Sequence, residues 1–143
     1  MYLSDISNGG AMPALIQTLS YNEARLAMIS ENVANAATPG YRTKQLDLSR
    51  FQSSLKDAID RRSHRREPLL TDGGEQVQAD ASGHLHVQPE LTPVDHTLFH
   101  DGTNVSIETE MSDMAKTLMS HELFAEVLVG YFSGLRKAIR GSV

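Results

Sequence analysis

Apolar side chains recur at alternating steps of three and four near each end of this 143-residue chain, and that spacing limits its folds more than any other feature. The first run is Leu15, Leu19, Asn22, Leu26, Ile29, Val33 and Ala36, a heptad seam with Asn22 as its one polar member. The second is Met111, Met114, Leu118, His121, Ala125, Leu128, Phe132, Leu135 and Ile139, with His121 as its polar member. Phe124, Val127 and Tyr131 form a further stripe beside the second seam. A helix with one apolar seam is not stable alone. The predicted fold is therefore mainly α, an antiparallel coiled-coil pair of N- and C-terminal helices, with the surplus stripe left for neighbours outside the chain.

Three spans follow: residues 1–42 as N-terminal helix and turn, 43–103 as an extended, irregular middle segment, and 104–143 as C-terminal helix. Pro13 suits a first helical position, where its missing amide costs nothing. The first helix, to about Asn35, is roughly 35 Å long, and its other faces carry Gln17, Glu23, Arg25 and Ser30. Ser106 reads as an N-cap, Glu108, Glu110 and Asp113 suit the positive helix end, and Arg136, Lys137 and Arg140 suit the negative one. From Ile107 to Arg140 that helix spans roughly 51 Å. In the middle, Leu46 and Leu48 alternate with polar residues, and Phe51, Leu55, Ala58 and Ile59 predict a short helix near 48–61. Pro68, Gly73, Gly74, Gly83, Pro89, Pro93 and Gly102 then forbid long elements, leaving one short strand over His84–Gln88. This segment is too poor in apolar residues to fold without something to pack on.

Between the first helix and the middle lies Ile29-Ser-Glu-Asn-Val-Ala-Asn-Ala-Ala-Thr-Pro-Gly-Tyr41. Pro39 stops the helix and pushes Thr38 toward extended geometry, while Gly40 permits a positive φ, so residues 38–41 form a tight turn. Asn32 and Asn35 are placed to bond backbone groups that the ending helix leaves open. Asn32-Val-Ala-Asn35 followed by Thr38-Pro-Gly-Tyr41 resembles the N-terminal signature of bacterial flagellar axial proteins. Phe132-Ser-Gly-Leu-Arg-Lys-Ala-Ile-Arg-Gly141 narrows the resemblance to the basal-body rod family, nearest its proximal rod members. It covers residues 12–55 and 101–141 well and the middle poorly.

The resemblance implies a structural subunit of the proximal rod, its paired helices packed in a helical homo-oligomer around the export channel. It also implies contact with other rod proteins, the rod adaptor FliE and the MS-ring protein, and transmission of torque. On it, Asn32, Asn35, Thr38, Pro39, Gly40 and Tyr41 fix the helix exit, and the seam residues hold subunits together. Met1–Asp5 has neither the basic nor the apolar region of a secretory signal, so a periplasmic rod position implies the flagellar type III export apparatus, without a cleaved signal peptide.

Other readings are weaker. Net charge is −5 with no segment in basic excess, against nucleic-acid binding. No apolar run reaches membrane-spanning length, and cysteine is absent, excluding disulfides and thiolate chemistry. His96 and His100, with Asp95 and Asp101, lack a third defined ligand and read as solvated; no metal or cofactor is expected. His121 beside Glu122 points elsewhere on a helix and reads as a register residue or a partner of Asn22. No nucleophile motif or phosphate loop occurs, so no catalytic residue is expected and the chain is not read as an enzyme. Arg61–Arg66 reads as a solvated or protein-facing patch, and Asn104-Val-Ser106 as the approach to a helix rather than a glycosylation site. The remaining alternative is a soluble helical adaptor or export chaperone for flagellar axial proteins, which has no use for the turn signature.

Overall fold

The computed structural model describes residues 10–64, 68–92 and 106–141, without the side chains of Ser63 and His64. The described chain is mostly helical: α1 (Met12–Ala34), β1 (Lys44–Gln45), α2 (Leu48–His64), β2 (Val77–Ala79), β3 (Leu85–Val87), β4 (Glu90–Leu91) and α3 (Ile107–Arg140), with a 3-10 turn at Gly74–Gln76. β1 pairs antiparallel with β4, Lys44 opposite Leu91, and β2 with β3, Val77 opposite Val87. His96, His100, Asp95, Asp101, Arg65, Arg66 and Asn104 lie outside the described residues.

α1 and α3 run side by side in opposite directions. Gly10 lies at Tyr131, Asn22 donates to Ser120 Oγ (3.2 Å), Arg25 meets Asp113 (3.2 Å), and Asn32 donates to Glu110 (3.2 Å). Number rises along one helix as it falls along the other.

The face α3 turns to α1 is not the one its heptads suggest. Met114, His121, Leu128 and Leu135 are half-buried, but between them stand Thr117 (buried), Phe124 and Tyr131 (half-buried). Met111, Leu118, Phe132 and Ile139 are exposed. Five of the nine expected seam residues, the half-buried Ala125 among them, are kept, and at three others the inward residue (Glu110, Thr117, Tyr131) lies one before the expected one. Two apolar stripes compete on this helix, and the polar pairs at Glu110, Asp113 and Ser120 decide, because all three lie on the shifted face. The surplus surface is therefore the outer stripe through Met111, Leu118, Phe132 and Ile139, with exposed Val127 on the opposite flank, and not Phe124 and Tyr131.

α1 buries two faces, where the spacing suggests one. Gln17, expected on an outer face, is 1% exposed, and Tyr21 and Met28 continue that side. Tyr21 stacks flat on Phe51 of α2, ring centroids 4.1 Å apart. Leu46, Ile29 and Val77 complete the core, with Val33, Leu55, Leu85, Val87 and Met114 packed around it. The middle segment thus orders against its own chain. Gln17 Nε2 donates to the carbonyls of Leu69 (2.8 Å) and Gly83 (3.1 Å), and Thr71 Oγ1 donates to Gln17 Oε1 (2.5 Å). α2 starts at Asp47, whose Oδ1 accepts from the Arg50 amide (3.0 Å). In the β2–β3 turn, Asp80 Oδ1 accepts from the amides of Ser82 and His84, and these bonds with the Ser82 hydroxyl pull its carboxyl down to about 2.

Candidate functional site

The exit from α1 is densely hydrogen-bonded. The helix unwinds in steps: the Asn35 amide donates to Glu31 O (3.1 Å), Ala36 to Val33 O (3.2 Å) and Thr38 to Asn35 O (2.9 Å). The Asn35 side chain adds a second bond to Glu31 O (2.9 Å) and accepts a long one from Thr38 Oγ1 (3.4 Å). The Tyr41 amide then donates to Thr38 O (3.1 Å), closing a turn with Pro39 second and Gly40, at φ +74°, third. Only a residue without Cβ holds that φ cheaply. Thr38, Pro39 and Gly40 are exposed, so the tip of the turn faces outward.

Asn32 works differently from the helix-capping part its position suggests. It is fully buried and reaches away from its own helix. Its amide donates to Lys44 O (2.9 Å) and Glu110 Oε1 (3.2 Å), and its Oδ1 accepts from the Lys44 amide (2.9 Å) and the Tyr41 hydroxyl (3.0 Å). One side chain thereby ties α1 to the turn, to β1 and to α3, with every donor and acceptor used. Lys44 Nζ returns to Glu31 at 2.6 Å, across the mouth of the turn. Thr92 closes the far side, its amide on Thr43 O (2.8 Å) and its carbonyl under Arg42 Nη2 (2.9 Å).

The electrostatics follow from enclosure. Burial, helped by the nearby Asp113 carboxylate, pushes the Glu110 carboxyl above its ordinary value, against the Asn32 bond and Arg25. Burial and the Glu31 carboxylate raise the Tyr41 phenol. Deeper in, burial takes the Tyr21 phenol up to about 12, against the pull of the Arg25 guanidinium beside it.

The structure brings Asn32, Tyr41, Lys44 and Glu110 together; nothing in the sequence singles out Lys44, and Glu110 reads there only as a charge suited to the start of its helix. Of the first seam, Asn22 and Ile29 are buried and Leu15, Leu19, Leu26 and Val33 half-buried. Asn22 pairs with Ser120 rather than His121, which instead lies 3.8 Å from Glu23. Among the described residues no cluster of His, Asp or Glu could hold a metal ion, and no helix is long and apolar enough to cross a membrane. The arrangement is a mechanical clasp.

Comparison with known proteins points the same way. The family model described as "Flagella basal body rod protein" matches residues 12–42, which are α1 and the clasp turn. The chain is similar to the flagellar basal body rod protein FlgB of Bacillus subtilis, 24% identical over 92% of this chain and 95% of the relative. It is likewise similar to FlgB of Aeromonas hydrophila (27%, over 86% and 87%) and of Salmonella typhimurium (26%, over 87% and 89%). The family match falls on the clasp and these relatives run through both long helices, so the chain is similar to flagellar basal body rod proteins along most of its length.

Proposed function

We propose that this chain is a structural subunit of the proximal rod of the bacterial flagellum, laid down helically around the export channel and joining the MS ring to the rest of the rod. It is a structural protein and not an enzyme, like the rod proteins it resembles. The observation that carries the reading is the outer stripe of α3. Leu118, Phe132 and Ile139 are 44, 42 and 76% exposed on a helix that already has its partner in α1. Burying each such side chain is worth roughly 1.5–3 kcal/mol, so neighbouring subunits cover the stripe. Contacts between unlike patches whose rotation does not close yield a helical array. The half-buried 3–4 spacing from Met114 to Leu135, facing Leu15 to Val33, supports coiled-coil packing between α1 and α3.

In this reading the clasp sets the angle at which the middle segment leaves the helical pair, and torque passes through the pair and its neighbours. FliE, the MS-ring protein and other rod proteins are the partners, and the type III apparatus delivers the chain to the periplasm without a cleaved signal. Fractionation tests it. The chain should co-purify with detergent-extracted basal bodies and vanish from them when flagellar export is blocked; a chain that stays with soluble export complexes would be an adaptor or chaperone instead.

A further inference from the structure

The first turn of α1 and the last turns of α2 leave an apolar groove of about 460 Å³ between them, lined by Gly10, Ala11, Ala14, Ile59 and Arg62. Among the described residues nothing fills it: Ile59 is 43% exposed on one wall, and the small side chains of Ala11 and Ala14 make the other. A cavity of ~150 Å³ already admits a benzene ring, so the groove has room for more than one aliphatic side chain. α1 is bare at this end in a second respect. Ala11 at its N-cap has no side-chain acceptor to offer, and its first turn carries no acidic residue. Arg62 leans over the same place, its Nη1 3.4 Å from Gly10 O.

Residues 1–9 enter α1 through Gly10, which is itself part of the groove wall and sits at φ +63°. Asn8-Gly9 before it is a turn-forming pair, and Tyr2-Leu3-Ser4-Asp5-Ile6 carries three apolar residues and one acid. We propose that residues 2–6 of the same chain dock in this groove, Leu3 and Ile6 covering Ala14 and Ile59, with Asp5 facing Arg62. Spaced three apart, Leu3 and Ile6 share one face of a helical turn. Ile6 stands four positions before Gly10, a reach of at most ~14 Å, and the groove begins at Gly10 itself. The tether keeps the segment at a high local concentration, so it fills the groove ahead of a second copy or another protein. A contact of this size opens and recloses, which leaves the isolated chain accessible to protease at this end. The docking belongs to the chain itself and is independent of the rod.

The absence of cysteine makes the test clean. Ile6→Cys is combined with Ile59→Cys, or with Phe132→Cys, in the purified chain at low concentration, and disulfide formation in a glutathione buffer is followed by gel shift and peptide mass. Phe132 is 42% exposed and follows Tyr131, whose hydroxyl lies against Gly10, so it is a comparable target within reach but outside the groove. In unfolding urea the 6–59 pair should close only roughly fourfold faster, the advantage of its shorter loop. In the folded protein it should close at least about thirtyfold faster. Asp5→Lys should cut that advantage about threefold, and Arg62→Glu in the same chain should restore it. With no cysteine introduced, Leu3→Ala should lower Tm in the otherwise wild-type chain and have little effect once Ile59→Ala is present. A folded-state ratio that stays at the urea value, disulfides that join different chains, or additive losses of Tm overturn the docking. A charge exchange without effect overturns the pairing of Asp5 with Arg62.

Discussion

Asn32 makes four hydrogen bonds from a fully buried amide, and no other residue type offers two donors and two acceptors on so short a stem. Asn32→Ala should cost about 3 kcal/mol, because Lys44 and Tyr41 lose partners inside the protein, and the loss is read as a lower urea midpoint. Gly40→Val strains the turn at φ +74° although nothing stands within 4 Å of a Cβ there. Swimming in soft agar should be lost, and normal swimming would contradict the turn's role. Glu110 gives a pH signature. Its raised value means the folded chain holds the proton more tightly, so this group stabilises below the ordinary glutamate range and the contribution is lost as pH rises through the raised value. Glu110→Gln keeps an acceptor for Asn32 and should raise Tm near neutral pH, with little change near pH ~4, by circular dichroism melts.

At the scale of elements, α1 decides the fold by burying two faces. Gln17→Leu keeps the volume but leaves Leu69 O, Gly83 O and the Thr71 hydroxyl unpaired, for a loss of about 2–3 kcal/mol and faster cleavage between residues 68 and 92. The heptad steps make both long helices legible in the sequence, and Pro39-Gly40 marks where the first one ends. Which α3 stripe faces inward was not legible. The two candidates are offset by one residue and similar in apolar content, and the choice rests on Asn22, Arg25 and Asn32, whose partners lie some ninety residues away. Gln17 and Lys44 were equally hidden, since spacing does not say that a polar residue is enclosed by a segment folding back from fifty residues on.

At the scale of the molecule, the buried apolar set among the described residues is small: Tyr21, Met28, Ile29, Leu46, Phe51 and Val77 form its centre. Much of α3 is bare on its outer side, so the isolated chain should be marginal. Purified protein should melt at low temperature and be cleaved quickly at both ends, and a highly stable, protease-resistant monomer would argue against folding coupled to assembly.

α1 holds its two neighbours by different means. Asn32 and Gln17 grip the middle segment largely through main-chain atoms, those of Lys44, Leu69 and Gly83, whereas Asn22 and Arg25 hold α3 through the side chains of Ser120 and Asp113. Every amino acid brings the same carbonyl and, proline aside, the same amide. The folded-back segment can therefore drift in sequence, or be exchanged for another of similar path, while substitutions along the inward side of α3 are felt at once.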